Sequence, residues 1–202
     1  MATNLNTKSK IFAGNIFGGT LLVTESRKIA QLLIDNVEEQ EWYDQIAKEN
    51  LLQKKNLKFA KRQAKLIHDR LILMKLELWK MVVNGSYETT AQALLAAAIK
   101  HNRFIGDFLL KVVKEKLRTF TNQLTMKDWL LFFNECEQID PSISDWTEST
   151  RKKLGNIIFR MLFEARYLDE KKRIIPAFLT NELKGYLMKN NETYVLNCLE
   201  ID

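Results

Sequence analysis

The sequence predicts an all-α protein. Only seven glycines and two prolines interrupt the 202 residues, and the apolar residues between them recur mostly at intervals of three and four. Hydrophobic residues make up 46% of the chain and charged residues 28%, a balance that supports a packed core and excludes disorder as the main state. We therefore expect a compact, mostly helical bundle with helix-turn-helix-like elements and a short C-terminal β-hairpin.

Helix boundaries in the first half of the chain follow from local capping residues. Thr24, Asn56 and Ser86 each precede a segment of helical apolar spacing, and Gly85 follows the end of one such segment. Residues 91–99 are small and apolar on nearly every side, which predicts a central helix that its neighbours approach closely. The predicted helices cover residues 24–36, 38–50, 56–84, 86–101 and 102–118.

The second half combines helices with a predicted hairpin. The run from Thr125 to Asp128 resembles a capping box at the start of a helix. Residues 167–175 form two short apolar segments around a polar turn, a pattern that predicts two β-strands. The predicted helices of this half cover residues 129–137, 147–165 and 179–189.

This order of elements predicts two parts. Residues 1–122 would form an N-terminal helical bundle that contains the helix-turn-helix-like element. Residues 123–202 would form a winged-helix-like lobe, because a helix, a second helix and a hairpin follow one another there. We expect the two parts to pack as one compact unit.

The sequence offers few residues for catalysis. Cys136, Cys198, His68 and His101 are the only cysteines and histidines, so a zinc site, a thiol nucleophile or a serine–histidine relay would lack partners. Residues 14–20 have the outer spacing of a phosphate-binding loop but lack the lysine that would reach the β- and γ-phosphates. We expect a protein that is not an enzyme and has no cofactor, no metal and no small-molecule substrate.

The chain also lacks the signals of export and membrane insertion. The start, Met1 to Lys10, is polar, and no stretch of about 18 residues is both apolar and free of charge. We therefore expect a cytoplasmic protein without membrane contact, whose two cysteines are inert thiols and form no disulfide.

Charge is distributed in blocks along the chain. The net charge is +6, a mild excess that favours polyanionic partners. Residues 20–50 hold three bases against seven acids, whereas residues 51–75 hold eight bases against one acid. The sign changes again from six acids and no base in residues 128–150 to eight bases and three acids in residues 151–173. An acidic segment is therefore followed by a basic one twice.

The first basic segment predicts a helix with one buried and one cationic side. At about 100° per residue, Phe59, Leu66, Ile67 and Leu73 share the buried side, and the bases lie on the other. The candidate DNA-binding residues on and before this helix are Lys54, Lys55, Lys58, Lys61, Arg62 and Lys65. A solvated lysine face is the alternative interpretation. The acidic helix and short connection that precede this segment give a helix-turn-helix-like order, which favours DNA binding.

The second basic segment predicts a similar face on the helix at 147–165. Short polar and basic side chains lie within about 60° of one another on a helix whose opposite half is apolar. The basic tip of the predicted hairpin would touch the adjoining phosphates as a wing does. A solvated turn remains the alternative interpretation. The candidate DNA-binding residues are Ser149, Lys153, Asn156, Arg160, Lys171, Lys172 and Arg173.

The sequence also resembles a known family, and the resemblance extends over residues 11–189. The segments that carry it are Ala13–Gly14, Thr24–Glu25–Ser26, Asn50–Leu51–Leu52–Gln53–Lys54, Asp69–Arg70–Leu71, and Tyr167–Leu168 before Ile174–Ile175–Pro176. They resemble the BrxA family, the small subunits of bacterial BREX phage-resistance systems. The resemblance implies a helical fold similar to the antitermination factor NusB, binding to double-stranded DNA and no enzymatic activity. It further implies other BREX subunits as partners, including a methyltransferase.

The residues and the resemblance together support one main hypothesis. We expect a non-enzymatic component that binds double-stranded DNA through its basic helical faces and seats a BREX phage-defence complex on the DNA. The alternative is a protein-interaction scaffold, or a NusB-like RNA-binding factor without DNA contact.

Overall fold

The structure is a computed structural model, and it describes Phe12 and residues 19–201. The all-α class is confirmed, because α-helices form the regular structure of this part of the chain. Short π-helical and 3-10 segments at Leu109–Val113 and Pro141–Ile143 join neighbouring helices. The α-helices are α1 Val23–Ile34, α2 Glu39–Ala47, α3 Leu57–Leu71, α4 Leu76–Asn84, α5 Tyr87–His101, α6 Arg103–Phe108, α7 Lys114–Arg118, α8 Met126–Ile139, α9 Glu148–Glu164, α10 Asn181–Lys189 and α11 Thr193–Leu199.

The core is built around α5. Eleven consecutive residues of this helix, from Thr89 to Ile99, are buried, which confirms the predicted central helix. Helices α1, α3, α4, α6, α9, α10 and α11 all contact it. Small alanine side chains allow this, because they let neighbouring backbones approach the helix from several directions.

Aromatic rings form a second part of the same hydrophobic cluster. Phe104 on α6 stacks against Phe133 on α8, with ring centroids 5.6 Å apart. Trp129 on α8 lies 5.4 Å from Phe108 on α6 and donates its indole N–H to the carbonyl oxygen of Arg151 on α9 at 2.8 Å. Residues from both sides of position 122 therefore pack together, and the division into two parts stays a prediction.

The single long helix predicted for residues 56–84 is wrong. α3 ends at Leu71 and α4 begins at Leu76. Apolar spacing of three and four continues across the break, so periodicity alone does not reveal it. Two side chains satisfy backbone groups at the break. Trp79 of α4 donates to the Leu71 carbonyl oxygen at 2.8 Å, and the Tyr186 hydroxyl of α10 accepts the Lys75 N–H at 2.9 Å. Only the tertiary structure supplies the second of these partners.

The predicted C-terminal β-hairpin and winged-helix-like lobe are also wrong. In the described residues there is no strand, and pairing is limited to isolated bridges between Leu168 and Ile174 and between Gln123 and Arg173. Asp169 closes a tight turn by accepting the N–H groups of Lys171 and Arg173, both at 2.8 Å. Pairing ends at Tyr167, whose carbonyl oxygen accepts the Ile175 N–H at 3.0 Å but whose own N–H donates to the Leu162 carbonyl oxygen of α9 at 2.8 Å.

The sequence analysis also missed the last helix, α11. Its buried residues Val195, Cys198 and Leu199 follow helical spacing, which is the signal that was available. The helix packs on α5, α6 and α10 and so completes the cover of the core.

Gly155 provides a test of the packing between α8 and α9. A Cβ atom at this position would lie 2.5 Å from Cδ1 of Trp129, which is fully buried. We expect Gly155→Ala to lower the free energy of unfolding by about 1–3 kcal/mol, measured by urea denaturation.

Gly185 in α10 is the matched control, because a Cβ atom there would meet nothing within 4 Å. We expect Gly185→Ala to be neutral or to stabilise by up to about 1 kcal/mol through helix propensity. Equal unfolding free energies for the two variants would contradict the described packing.

Candidate nucleic-acid interface

α3 presents its basic residues on the side opposite the core. Asn56 caps the helix by accepting the N–H of Phe59 at 3.1 Å. Ala60, Ala64 and Ile67 are among the positions that face the core. The buried side is rotated from the one predicted, since Phe59 and Leu73 are each 39% exposed. The four basic residues within α3 that the sequence singled out are nevertheless exposed: Lys58, Lys61, Arg62 and Lys65.

Carboxylates of the protein itself neutralise two cations of this set. Lys54, half-buried before α3, forms an ion pair with Glu25 on α1. Lys65 forms an ion pair with Asp69 one turn along α3, with Nζ and Oδ2 2.8 Å apart. An ammonium group that is already paired gains less from a phosphate, because the existing bond must first be broken.

The other cations of the set have no carboxylate partner within the described part of the chain. Lys55 and Lys58 are exposed. The Lys61 ammonium lies 4.4 Å from the ring centroid of Tyr43 and donates to the Tyr43 hydroxyl oxygen at 3.2 Å. The Arg62 guanidinium lies 5.3 Å from the ring of Phe59. We define Lys55, Lys58, Lys61 and Arg62 as the α3 cationic face.

The second predicted set lies on α9 and on the turn after it. Ser149, Lys153 and Asn156 are exposed on α9. Arg160 is exposed as well, but its Nε lies 3.2 Å from Oε1 of Glu164. Glu164 also accepts hydrogen bonds from residues of the chain before α1, so the pair belongs to a structural network.

The turn brings its own cations against α9. The Lys172 ammonium lies 5.5 Å from the ring centroid of Phe159 on α9. Arg173 is paired with Asp169, with Nε and Oδ2 2.6 Å apart, whereas Lys171 is exposed. In the described residues, Lys153, Lys171 and Lys172 have no carboxylate partner, and we define these three as the α9 cationic face.

A buried arginine that the sequence analysis did not assign links α3 to α9. Arg70 of α3 is 5% exposed and donates from Nη1 to the carbonyl oxygen of Thr20 at 2.6 Å. The Thr20 hydroxyl and the Leu21 N–H in turn donate to Glu164 of α9, both at 3.0 Å. Burial lowers the pKa of Arg70 to about 10, and the nearby Glu164 carboxylate opposes this shift. Arg70 therefore stays charged at neutral pH.

Within the described residues, no hydrogen bond or ion pair joins the α3 cationic face directly to the α9 cationic face. The sequence feature that could have identified Arg70 as buried is its position on the helical wheel. It lies between Leu66 and Ile67, which are buried one turn earlier in α3. A basic residue on the apolar side of a helix indicates a buried hydrogen-bonding partner, because an unpaired buried charge is costly.

The described residues hold no group of three or more histidines, cysteines or acids that could bind a metal ion. Cys136 and Cys198 are buried, and burial raises the pKa of each thiol to about 12. Both thiols are therefore protonated at neutral pH. Gly14 to Gly18 of the loop-like motif, and the turn Ala13–Gly14, lie outside the described residues.

No helix within the described part of the chain combines the length and the apolar character that a bilayer crossing requires.

The fold and these surfaces define a class: an all-α protein that presents exposed cations without carboxylate partners on α3, on α9 and on the turn after α9, among other exposed bases. The family model of BrxA matches residues 10–191, and the chain belongs to the BrxA family. A relative named "BREX protein BrxA" from Paramagnetospirillum magneticum is 40% identical over 192 residues, covering 94% of this chain and 96% of the relative. Another of the same name from Escherichia coli O9:H4 is 32% identical over 193 residues, covering 95% and 91%.

A solved structure has the same fold. The crystal structure of an uncharacterized protein from Magnetospirillum magneticum superposes with a TM-score of 0.89 at 39% sequence identity. The match covers 95% of this chain and 100% of that one. The predicted membership in the BrxA family is therefore confirmed.

Lysine labelling tests the division of the basic residues into paired and exposed groups. Amine acetylation requires an accessible nitrogen, so we expect Lys54 to react several-fold more slowly than Lys55 and Lys58, measured by mass spectrometry of the native protein. Glu25→Gln removes the carboxylate partner and should raise the rate at Lys54 alone. Equal rates at Lys54 and Lys58 in the unaltered protein would contradict the ion pair.

Proposed function

We propose that this protein is a non-enzymatic BREX component that binds double-stranded DNA and helps to seat a BREX phage-defence assembly on it. Membership in the BrxA family and the names of the relatives support the BREX context. The observation that carries the DNA-binding proposal is the α3 cationic face: four exposed bases without a carboxylate partner in the described chain. Our proposal places the protein in the cytoplasm with other BREX subunits, including a methyltransferase.

The surroundings of the α3 cationic face add to its positive potential. The first turn of α3 contains no acidic residue, and Lys55 and Lys58 flank its beginning. The N-terminus of a helix carries a partial positive charge, so the helix dipole and the two ammonium groups attract anions to the same region. Phosphates of a DNA backbone are the anions that fit an extended row of cations.

The composition of this face favours contacts to phosphates over contacts to bases. Three of its four members are lysines, which act as mobile point charges, and such contacts orient a protein on DNA without reading its sequence. We therefore propose weak sequence preference and strong salt dependence. Four neutralised phosphates correspond to a slope of roughly −4 in a plot of log affinity against log salt concentration.

The α9 cationic face would form a second contact. Lys171 and Lys172 lie on an exposed turn, and the contact of Lys172 with Phe159 holds this turn against α9. Lys153 lies on the exposed side of the same helix. We propose that these residues, with the neighbouring Ser149 and Asn156, meet a further stretch of backbone, and that the paired Arg160 and Arg173 contribute less.

Charge reversal on α3 tests the main contact. We expect Lys58→Glu combined with Arg62→Glu to weaken duplex DNA binding by about 10- to 100-fold and to reduce the salt slope by about 2, because two phosphate contacts are replaced by repulsion. Gel shifts and filter binding at several salt concentrations measure both quantities.

The matched control changes the net charge by the same amount elsewhere. Lys80 on α4 and Lys127 on α8 are exposed, and Lys80→Glu combined with Lys127→Glu should weaken binding far less. Thermal melting checks that both variants are folded. Equal losses would show that only net charge matters and would exclude α3 as the contact.

Filter binding also separates the alternative functions. Retention of RNA but not of duplex DNA by the unaltered protein would favour the RNA-binding alternative, and retention of neither would favour the scaffold.

The second face has its own test. We expect the triple variant Lys153→Glu, Lys171→Glu and Lys172→Glu to weaken duplex binding by about tenfold, because an accessory contact to phosphates is removed. Neutralising the paired Arg160 and Arg173 to glutamine in a second variant should have a smaller effect. If the arginine variant loses more affinity than the lysine variant, the assignment of the paired residues is contradicted.

A further inference from the structure

We propose that a groove between α1, α2 and α3 docks an amphipathic helix of a partner protein. We call it the α1–α3 groove. Its occupant would insert apolar side chains between the helices, with acidic residues along the flank that faces α3 and basic residues along the flank that faces α2. This inference goes beyond DNA binding, and of the α3 cationic face it uses only Lys61.

The α1–α3 groove has an apolar interior large enough for several side chains. Its volume is about 670 Å³, within the range of ligand-binding sites. Ile46 and Leu32 at its base are almost fully buried, and Tyr43 at its edge is 46% exposed. The apolar and aromatic residues that line it are Leu32, Leu33, Val37, Trp42, Tyr43, Ile46, Ala64, His68 and Trp79.

The two rims of the groove carry opposite charges. Glu39 lines the groove from α2, and within the described chain it has no cationic partner. Lys61 lines it from α3, together with Lys65 and its ion-pair partner Asp69. Glu38 just before α2 and Glu41 on α2 are also exposed and add negative charge to that side. An acidic rim on α2 and a rim on α3 with the unneutralised positive charge of Lys61 therefore lie on either side of an apolar interior.

This arrangement fits a helix better than it fits a nucleic acid. A phosphate backbone in the groove would be attracted by Lys61 on α3 and repelled by the glutamates on α2. An amphipathic helix with acids on one flank and bases on the other is attracted by both rims and also buries apolar side chains. Complementarity in charge and in apolar character thus selects one class of occupant.

The α1–α3 groove shares only Lys61 with the α3 cationic face. Lys61 points toward the groove, where its ammonium lies over the ring of Tyr43. Lys58 and Arg62 line a different surface depression with Asn56 and Phe59. Occupation of the groove therefore leaves both residues free for phosphates.

Site-specific photocrosslinking in cells that carry the complete BREX system tests the proposal. Tyr43 is replaced by the photoreactive residue p-benzoylphenylalanine, and the products are treated with nuclease and mapped by mass spectrometry. Tyr87, which is 49% exposed on α5 and does not line the groove, is the matched control position.

We expect a crosslink from position 43, but not from position 87, to a segment of a BREX subunit with helical apolar spacing and opposite charges on its two flanks. A product that nuclease removes would overturn the proposal in favour of nucleic acid. A crosslink to a second copy of this chain, or a yield no higher than at position 87, would also overturn it.

A charge variant tests the complementarity directly. Glu39 and Glu88 are both exposed glutamates in the first turn of a helix, but only Glu39 lines the groove. We expect Glu39→Lys to lower the crosslink yield from position 43 by about threefold and Glu88→Lys to leave it unchanged. An unchanged yield in both would overturn the assignment of a basic flank, whereas DNA gel shifts of the same variants report separately on the proposed function.

Discussion

The burial of α5 on all sides is the constraint on which the rest of this structure depends. Its residues from Thr89 to Ile99 are all buried, because each of the surrounding helices packs one of its sides against α5. The buried Gln92 shows how polar groups are accommodated there, since its side chain donates to the Phe178 carbonyl oxygen and accepts the Thr180 N–H. Buried polar groups that are satisfied in this way cost little.

The consequence for α3 is a separation of roles around one helix. Its inner side packs on α1 and α5, one outer edge borders the acidic α2, and the remaining outer surface carries cations. The proximity of α2 matters because opposite charges on neighbouring helices create a groove with two different rims. Cations farther from α2 have no nearby acid of the protein, so the positive potential there can be neutralised only by an external anion.

Pairing with the protein's own carboxylates divides the basic residues more sharply than exposure does. Lys65, Arg160 and Arg173 are exposed, yet each has a carboxylate within 3.2 Å. Pairs at intervals of four residues on a helix or turn contribute little stability in water, but they do lower the positive potential that a distant phosphate experiences. Lys58 and Arg62 lack such partners within the described residues and so dominate the proposed interface.

The Arg70 network shows a different use of charge. Arg70, Thr20 and Glu164 connect the inner end of α3 to the end of α9 through the backbone before α1. Loss of either charged partner would leave a buried polar group without compensation, which is costly. Partly buried hydrogen bonds therefore connect the two helices that carry the cationic faces.

The sequence alone determined the all-α class, the central position of α5, several helix beginnings and the exposure of the bases on α3, because these depend on local capping and on the spacing of apolar residues. It also carried the resemblance to the BrxA family. Only the tertiary structure decided that α3 ends at Leu71, that the turn at Asp169 forms no hairpin, and that Lys54 is neutralised while Lys58 is not. Each of these outcomes depends on groups that the local pattern does not register, such as the Tyr186 hydroxyl that accepts the Lys75 N–H and the Glu25 carboxylate that binds Lys54. The spacing of apolar residues indicates which side of a helix is buried. Ion pairs and helix ends depend instead on which atoms the fold brings within hydrogen-bonding distance.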